Sequence, residues 1–281
     1  MHRNLTKLRF SYPLLPVRKT YYILFSLMLL CMACEWHLKP NSEGPSDVRV
    51  AIERYDRVER LYLSTGDLAA LQQMNTNYPT QTRMLIEDVL RIGKVNDPEI
   101  NVKFHHFFQD STLQQLLEDV ERQYEDLSDI DSQLTAAFQL LRKEIPGIDI
   151  PFIYAQVGSF DQSIVVGRQT LGISLDKYLG SDYPFYVEHY SERQRRLMTR
   201  SMIVPDCLSF YLLSLYPLSA DRAAEVRERR SHMGRIQWVV NQLSDTLVFQ
   251  GEHVDAVERY MSNHQDMTIA DLLEQSPSVG L

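Results

Sequence analysis

The stretch PFIYAQVGSFDQSIVVGRQTLGISLD, residues 151–176, decides the fold. It contains three short runs of β-branched and aromatic residues, which are PFIYAQV, SIVV and LGISL. Polar segments that contain Gly158 and Gly167 separate the runs. Runs of this composition favour strands, and glycine-containing polar segments between them favour turns. We therefore predict a three-stranded meander over residues 151–176.

A further strand is predicted upstream of the meander. Val48, Val50 and Ile52 alternate with more polar neighbours, which is the period of a half-buried strand. We predict a strand over residues 48–55 that joins the meander in one sheet.

The remainder of the chain has the period of helices. Apolar residues recur every three or four positions between Thr112 and Leu141, which predicts two amphipathic helices, or one helix bent at Asp129–Asp131. Helices are also predicted over residues 191–216, 223–247 and 251–263. In the second of these, the residues expected to face inward are Val226, Met233, Ile236, Val240 and Leu243. The predicted fold class is α+β, with a mostly helical body around a small sheet, in a single domain over residues 48–281.

The N-terminus has the pattern of an export signal. Residues 21–33 read YYILFSLMLLCMA, an apolar run behind Arg18 and Lys19. At about 1.5 Å per residue the run spans roughly 20 Å, which is short of the ~30 Å hydrocarbon core of a bilayer. Ala33 directly before Cys34 resembles a bacterial lipobox, in which the signal is cut off and the cysteine receives acyl chains such as palmitate. The alternative is an ordinary secretory signal in which Cys34 is incidental.

Three segments follow from this pattern. We predict a signal peptide over residues 1–33, lipidation at Cys34, and a flexible tether over residues 34–47, which ends in KPNSEGPSD. The body is then held at a membrane of the cell envelope on the periplasmic side. Which of the two membranes holds it stays open.

Charge is distributed unevenly along the chain. The formal net charge is −8, and removing the five basic residues of segment 1–33, which has no acid, leaves about −13 for the remainder. An acidic balance argues against a nucleic-acid partner. Residues 110–131 carry a local charge of −7, whereas residues 193–235 carry +5 from nine arginines and no lysine. The arginine-rich segment 193–235 is a candidate docking surface for the acidic helices, an envelope protein or lipid headgroups; the alternative is solvated helix faces.

The motifs of common hydrolases are missing or incomplete. No HExxH zinc motif is present. The stretch Gly172–Asp176 keeps the first glycine of the serine-hydrolase elbow but has Asp176 where the second glycine belongs, so Ser174 is expected within a strand. A hydrolase built from Ser174, Asp176 or Glu192 with His189 remains the alternative. Cys207 lies among apolar neighbours and is expected to be a buried, inert thiol.

An aromatic group follows the last predicted strand. It offers a platform for a small ligand or glycan, or else a packed corner beside the sheet; its members are Tyr178, Tyr183, Phe185 and Tyr186.

Several motifs resemble those of one known family. These are IERYDR at residues 52–57, Tyr78-Pro79, Ile145-Pro146, GISLDKYLG at residues 172–180 and YPFY at residues 183–186. In this order they resemble the gliding-motility lipoprotein GldB family of Bacteroidota. The resemblance implies an exported lipoprotein linked to gliding or to envelope machinery, without established catalytic activity.

The family layout is also similar to that of zincin-type zinc peptidases. In that comparison the metal-binding helix falls around Leu197–Tyr211, where this chain has Met202, Pro205 and Cys207 but no histidine. We therefore predict no catalytic, metal-binding or cofactor-binding residue and no cofactor. The predicted function is a non-enzymatic, lipid-anchored envelope protein that acts through protein contacts; the alternatives are a degenerate zincin-like hydrolase and a small-ligand-binding or glycan-binding lipoprotein.

Overall fold

The computed structural model of the protein describes residues 48–219, 225–244 and 247–274. The predicted signal peptide (residues 1–33) and the predicted tether (residues 34–47, with Cys34) lie outside the described residues. The domain limits drawn from the sequence stay predictions.

Helices precede and follow the sheet along the sequence. Those before the sheet are α1 (Tyr55–Thr65), α2 (Leu68–Asn77), α3 (Pro79–Met84, continued by a π-helical turn over Leu85–Val89), α4 (Ile100–Phe107), α5 (Ser111–Gln123) and α6 (Ser128–Glu144). Those after it are α7 (Pro184–His189), α8 (Glu192–Arg195), α9 (Ile203–Leu215), α10 (Val226–Leu243), α11 (Glu252–Asn263) and α12 (Ile269–Glu274). Short 3₁₀ turns lie at Leu175–Lys177 and Arg200–Met202. The predicted α+β class is confirmed.

The sheet contains β1 (Phe152–Gln156), β2 (Ile164–Gly167) and β3 (Thr170–Ser174) in the order β1-β3-β2. The predicted meander is wrong in its strand order. β3 lies in the centre of the sheet, where it is antiparallel to β2 and parallel to β1. Burial explains the difference. Residues 171–174 of β3 are all buried, whereas Val166 of β2 is 38% exposed, so β2 belongs at an edge.

The predicted strand over residues 48–55 is reduced to one bridge residue. Glu53 pairs with β1, donating its N–H to Ile153 O at 2.9 Å and accepting from Ala155 N at 2.9 Å. The chain then enters α1 at Tyr55. The alternation of Val48, Val50 and Ile52 therefore marks an extended, buried segment that is not part of the sheet.

Side chains of α6 take the place of a neighbouring strand along this segment. Asp131, Thr135 and Gln139 are spaced by four residues and so lie on one face of the helix. The Asp131 carboxylate accepts from Ile52 N at 2.9 Å, and the Gln139 amide donates to Val48 O at 2.9 Å. Between them, the Thr135 hydroxyl accepts from Val50 N at 3.0 Å and donates to Val50 O at 3.2 Å.

The helices predicted after the sheet are correct in part. The continuous helix over residues 191–216 is wrong: it is broken between α8 and α9, where the Met198 carbonyl accepts from Gly180 N at 3.0 Å instead of extending a helix. In α10 the inward positions Ile236, Val240 and Leu243 are buried as predicted. Val226 and Met233, also predicted inward, are exposed.

The region between Thr112 and Leu141 forms two helices, α5 and α6, rather than one bent helix. None of the helices in the described parts of the chain is long and apolar enough to cross a membrane.

Replacing Thr135 with valine tests the side-chain ladder. Valine keeps the shape of threonine but leaves Val50 N–H and C=O without their partner, so we expect the free energy of unfolding to fall by about 1–3 kcal/mol. Chemical denaturation measures the change. Thr112→Val, at an exposed position in the first turn of α5, is the matched control and should change stability by less than about 0.5 kcal/mol. Equal effects of the two substitutions would show that the ladder contributes nothing.

Candidate functional site

The turn at residues 157–161 joins β1 to β2 and has a strained backbone. Ser159 and Phe160 both have positive φ angles, 55° and 64°, although neither is glycine. Such conformations cost about 1–3 kcal/mol and persist only where the surroundings hold them. The contacts of this turn therefore show which side chains stabilise it.

Glu59 holds the first residue of the turn. Its Oε2 accepts from Val157 N at 2.9 Å, and the whole side chain is buried. Burial raises the pKa of Glu59 well above its ordinary value; the hydrogen bond from Val157 opposes this shift, and the nearby Asp56 and Asp176 add to it. Its Oε1 has no hydrogen-bond partner among the described residues.

Asp176 holds the middle of the turn. Its Oδ1 accepts from Gly158 N at 2.7 Å and its Oδ2 accepts from Phe160 N at 2.6 Å. Burial raises the pKa of Asp176, and the hydrogen bonds from Gly158 and Phe160 partly offset that shift. The neighbouring Lys177 Nζ donates to Phe160 O at 2.9 Å. Two buried carboxylates and one ammonium group thus fix a strained turn.

Tyr178, in the same motif, joins a helix that precedes the sheet in the sequence to one that follows it. Its carbonyl accepts from Tyr124 Oη at the end of α5, at 2.5 Å. Its own hydroxyl donates to Asp206 Oδ2 in α9 at 2.8 Å. Burial raises the pKa of Asp206 to about 6, and the hydrogen bond from Tyr178 counteracts that rise.

Glycine is required at two positions of the motif, for a different structural reason at each. A Cβ on Gly172 would lie 2.6 Å from the ring of Tyr154, so a larger residue would force this buried ring to move. Gly180 has open space but a φ of +111°, which side-chain-bearing residues rarely adopt.

The structure does not bring the predicted hydrolase residues together. Ser174 is the last residue of β3, as expected, and its buried hydroxyl accepts from Gln156 Nε2 at 3.2 Å. His189 instead lies at the surface, against Phe185 and Glu188. Glu192 is largely exposed and pairs with Arg196. Asp176, as described above, is engaged with backbone N–H groups.

The aromatic group forms a packed corner. Tyr178 and Tyr186 are fully buried, and the Tyr186 hydroxyl donates to the carbonyl of Asp176. Phe185 stacks on Phe160 with ring centroids 3.9 Å apart, and the Tyr183 hydroxyl donates to Asp119 at 3.0 Å.

The helix compared with a zincin metal helix corresponds to α9. It carries Asp206 and Cys207, and Cys207 is a fully buried free thiol whose pKa is raised by burial. No group of three or more histidine, cysteine or carboxylate side chains within the described segments is arranged to hold a metal ion.

The arginines of segment 193–235 have several different surroundings. The Arg195 guanidinium donates to Ser181 O at 2.7 Å, and Arg235 is buried. Arg200 donates to both carboxylate oxygens of Asp129 and lies over the ring of Tyr124 at 5.1 Å. These hydrogen bonds hold the pKa of Asp129 below its ordinary value. One arginine of the segment therefore docks the acidic helices, as one of the predicted alternatives stated.

These contacts define an α+β body in which the motif residues fix a turn and join helices to a small sheet. A family model described as "Gliding motility protein GldB" matches residues 36–247. The chain therefore belongs to the GldB gliding-motility family, as the motifs indicated. Neither the curated proteins nor the solved structures gave a significant match, so the zincin-like layout stays a prediction.

Sequence reasoning missed Glu59. A signal for it exists in the helix pattern, because Glu59 shares the buried face of α1 with Tyr55, Tyr62 and Leu63. A carboxylate on a buried helix face, which here also carries the buried Asp56, indicates a buried acid with a specific hydrogen-bond partner.

Replacing Glu59 with glutamine tests the buried acid. The folded-state pKa of Glu59 is raised. The stability that Glu59 contributes is therefore fully present below its unfolded-state pKa near 4.5 and is lost as the pH rises through its folded-state pKa. Glutamine cannot ionise, so we expect E59Q to gain stability relative to the wild type by at least about 1 kcal/mol between pH 4 and pH 8. Denaturant unfolding at both pH values measures the gain.

Asp176→Asn is the matched comparison. An asparagine amide group would face a backbone N–H group, so one donor would lose its acceptor, and we expect a loss of about 1–3 kcal/mol at neutral pH. If E59Q is destabilised as strongly as D176N at pH 8, burial does not raise the pKa of Glu59 and this account of the side chain is wrong.

Proposed function

We propose that this protein is a lipid-anchored envelope lipoprotein that acts by binding another envelope protein rather than by catalysis. The match to the gliding-motility family over residues 36–247 carries the proposal. The lipid sits on Cys34, the tether follows, and the body lies in the periplasm.

The engagement of the motif residues supports a non-catalytic role. A catalytic acid, base or nucleophile must reach the substrate. Asp176 is fully buried with both oxygens engaged, and Ser174 is buried in the sheet. His189 and Glu192 lie at the surface instead, where His189 contacts Phe185 and Glu192 pairs with Arg196.

The partner surface is proposed on the exposed arginines of segment 193–235. Arg193, Arg196, Arg227 and Arg230 are exposed, whereas Arg195 and Arg200 are engaged within the body. Exposed guanidinium groups form bidentate hydrogen bonds with carboxylates. An acidic surface on an envelope protein is the partner that fits them.

Replacing Cys34 with serine in the full-length protein tests the anchor. Serine cannot form the thioether, so we expect the body to move from the membrane fraction to the soluble periplasmic fraction. Fractionation, together with labelling by a palmitate analogue, measures this. Cys31→Ser, three residues upstream in the apolar run, is the matched control and should stay labelled and membrane-bound. Full retention and labelling of C34S would contradict lipidation at this cysteine.

Reversing Arg193 and Arg196 to glutamate tests the partner surface. We expect the double variant to recover at least about tenfold less partner after crosslinking and affinity purification, because like charges then face each other. Arg168→Glu, exposed in the turn between β2 and β3, is the control and should recover the wild-type amount. Undiminished recovery with the double variant would contradict the proposed surface and show that these arginines lie on solvated helix faces.

A further inference from the structure

A cavity of about 580 Å³ lies between α1 and α5, and its lining contains no described residue of segment 193–235. Its apolar lining comes from Leu61, Leu117, Val120 and Val157. Its polar lining comes from both helices, with Arg54, Asp56, Arg57 and Arg60 from α1 or directly before it, and Glu121, Arg122 and Glu125 from α5 or just after it. Volumes of several hundred Å³ with a partly apolar lining are typical of small-molecule sites.

Most charges around the cavity are already paired. Arg54 binds both oxygens of Asp56, at 2.9 and 2.7 Å. Arg60 pairs with Glu121 at 2.6 Å. Arg122 pairs with Asp119 outside the lining.

Arg57 and Glu125 are the exceptions. The Arg57 guanidinium donates to the main-chain carbonyl of Glu125 at 2.6 Å rather than to its carboxylate. Neither side chain forms an ion pair with any residue in the described parts of the chain. A cation and an anion thus line the same cavity beside the exposed Leu61, and both charges remain available.

We propose that this cavity binds a small zwitterion with an apolar tail. Arg57 holds its anionic group, Glu125 holds its primary ammonium group, and the tail packs on Leu61, which is 40% exposed. Both protein charges line one cavity, so a small ligand that carries both of its own charges can reach them. A free α-amino acid with an apolar side chain has this chemistry, and so does a phosphatidylethanolamine headgroup with its acyl chains.

The inner end of the cavity is rigid. Val157, in its lining, is the residue whose N–H is bound by the buried Glu59. The floor of the cavity is therefore held in place before binding, which reduces the entropic cost of binding.

Calorimetric titration of the purified mature protein tests the proposal. The probes are L-leucine and a short-chain phosphatidylethanolamine, with L-leucinamide and N-acetyl-L-leucine as analogues that lack one charge each. We expect saturable binding of at least one zwitterionic probe. Binding of leucine alone assigns a free amino acid, and binding of the lipid alone assigns a headgroup.

Two variants identify the contacts. Arg57→Gln should lower the affinity for the zwitterionic probe about tenfold or more, and Glu125→Gln should do the same. Each substitution removes one charge-assisted hydrogen bond. If leucine binds, R57Q should leave the affinity for leucinamide unchanged, and E125Q should leave that for N-acetyl-leucine unchanged. Arg168→Gln is the control and should bind as the wild type does. Absence of saturable binding of both probes, or equal affinity in all variants, would overturn the proposal; neither result bears on the anchor at Cys34.

Discussion

Three main-chain hydrogen bonds from one turn to two buried carboxylates organise the body of this protein. Glu59 from α1 and Asp176 from the end of β3 bind the N–H groups of Val157, Gly158 and Phe160. Burying two acids is costly, as their raised pKa values indicate. Their hydrogen bonds offset the strain of the turn, which leads the chain out of β1 and lets β3 take the central, parallel position beside it.

The motif at residues 172–180 is explained by this arrangement, since its side chains support the fold. Asp176 and Lys177 fix the turn, while Tyr178 joins α5 to α9. The surfaces proposed for function are the exposed arginines after α7 and the cavity between α1 and α5. A body of this kind can present binding surfaces in a fixed geometry.

The sequence was sufficient for the fold class, for the strand positions within residues 151–176 and for the family, because these depend on local composition and on motif order. It did not predict the strand order, since the parallel pairing of β1 with β3 depends on the turn that Glu59 and Asp176 hold. The segment at residues 48–53 was misjudged for a similar reason. Alternating apolar residues indicate an extended chain, but they do not reveal that the side chains of α6 supply its hydrogen bonds.

Amide hydrogen exchange at Val157, Gly158 and Phe160 tests the central claim most directly. If the two buried carboxylates hold the turn, these three amides exchange as slowly as the amides of Leu171 in the centre of the sheet. If they exchange as fast as the exposed turn at Arg168, the carboxylates do not hold the turn, and the account of the fold and of the motif is wrong.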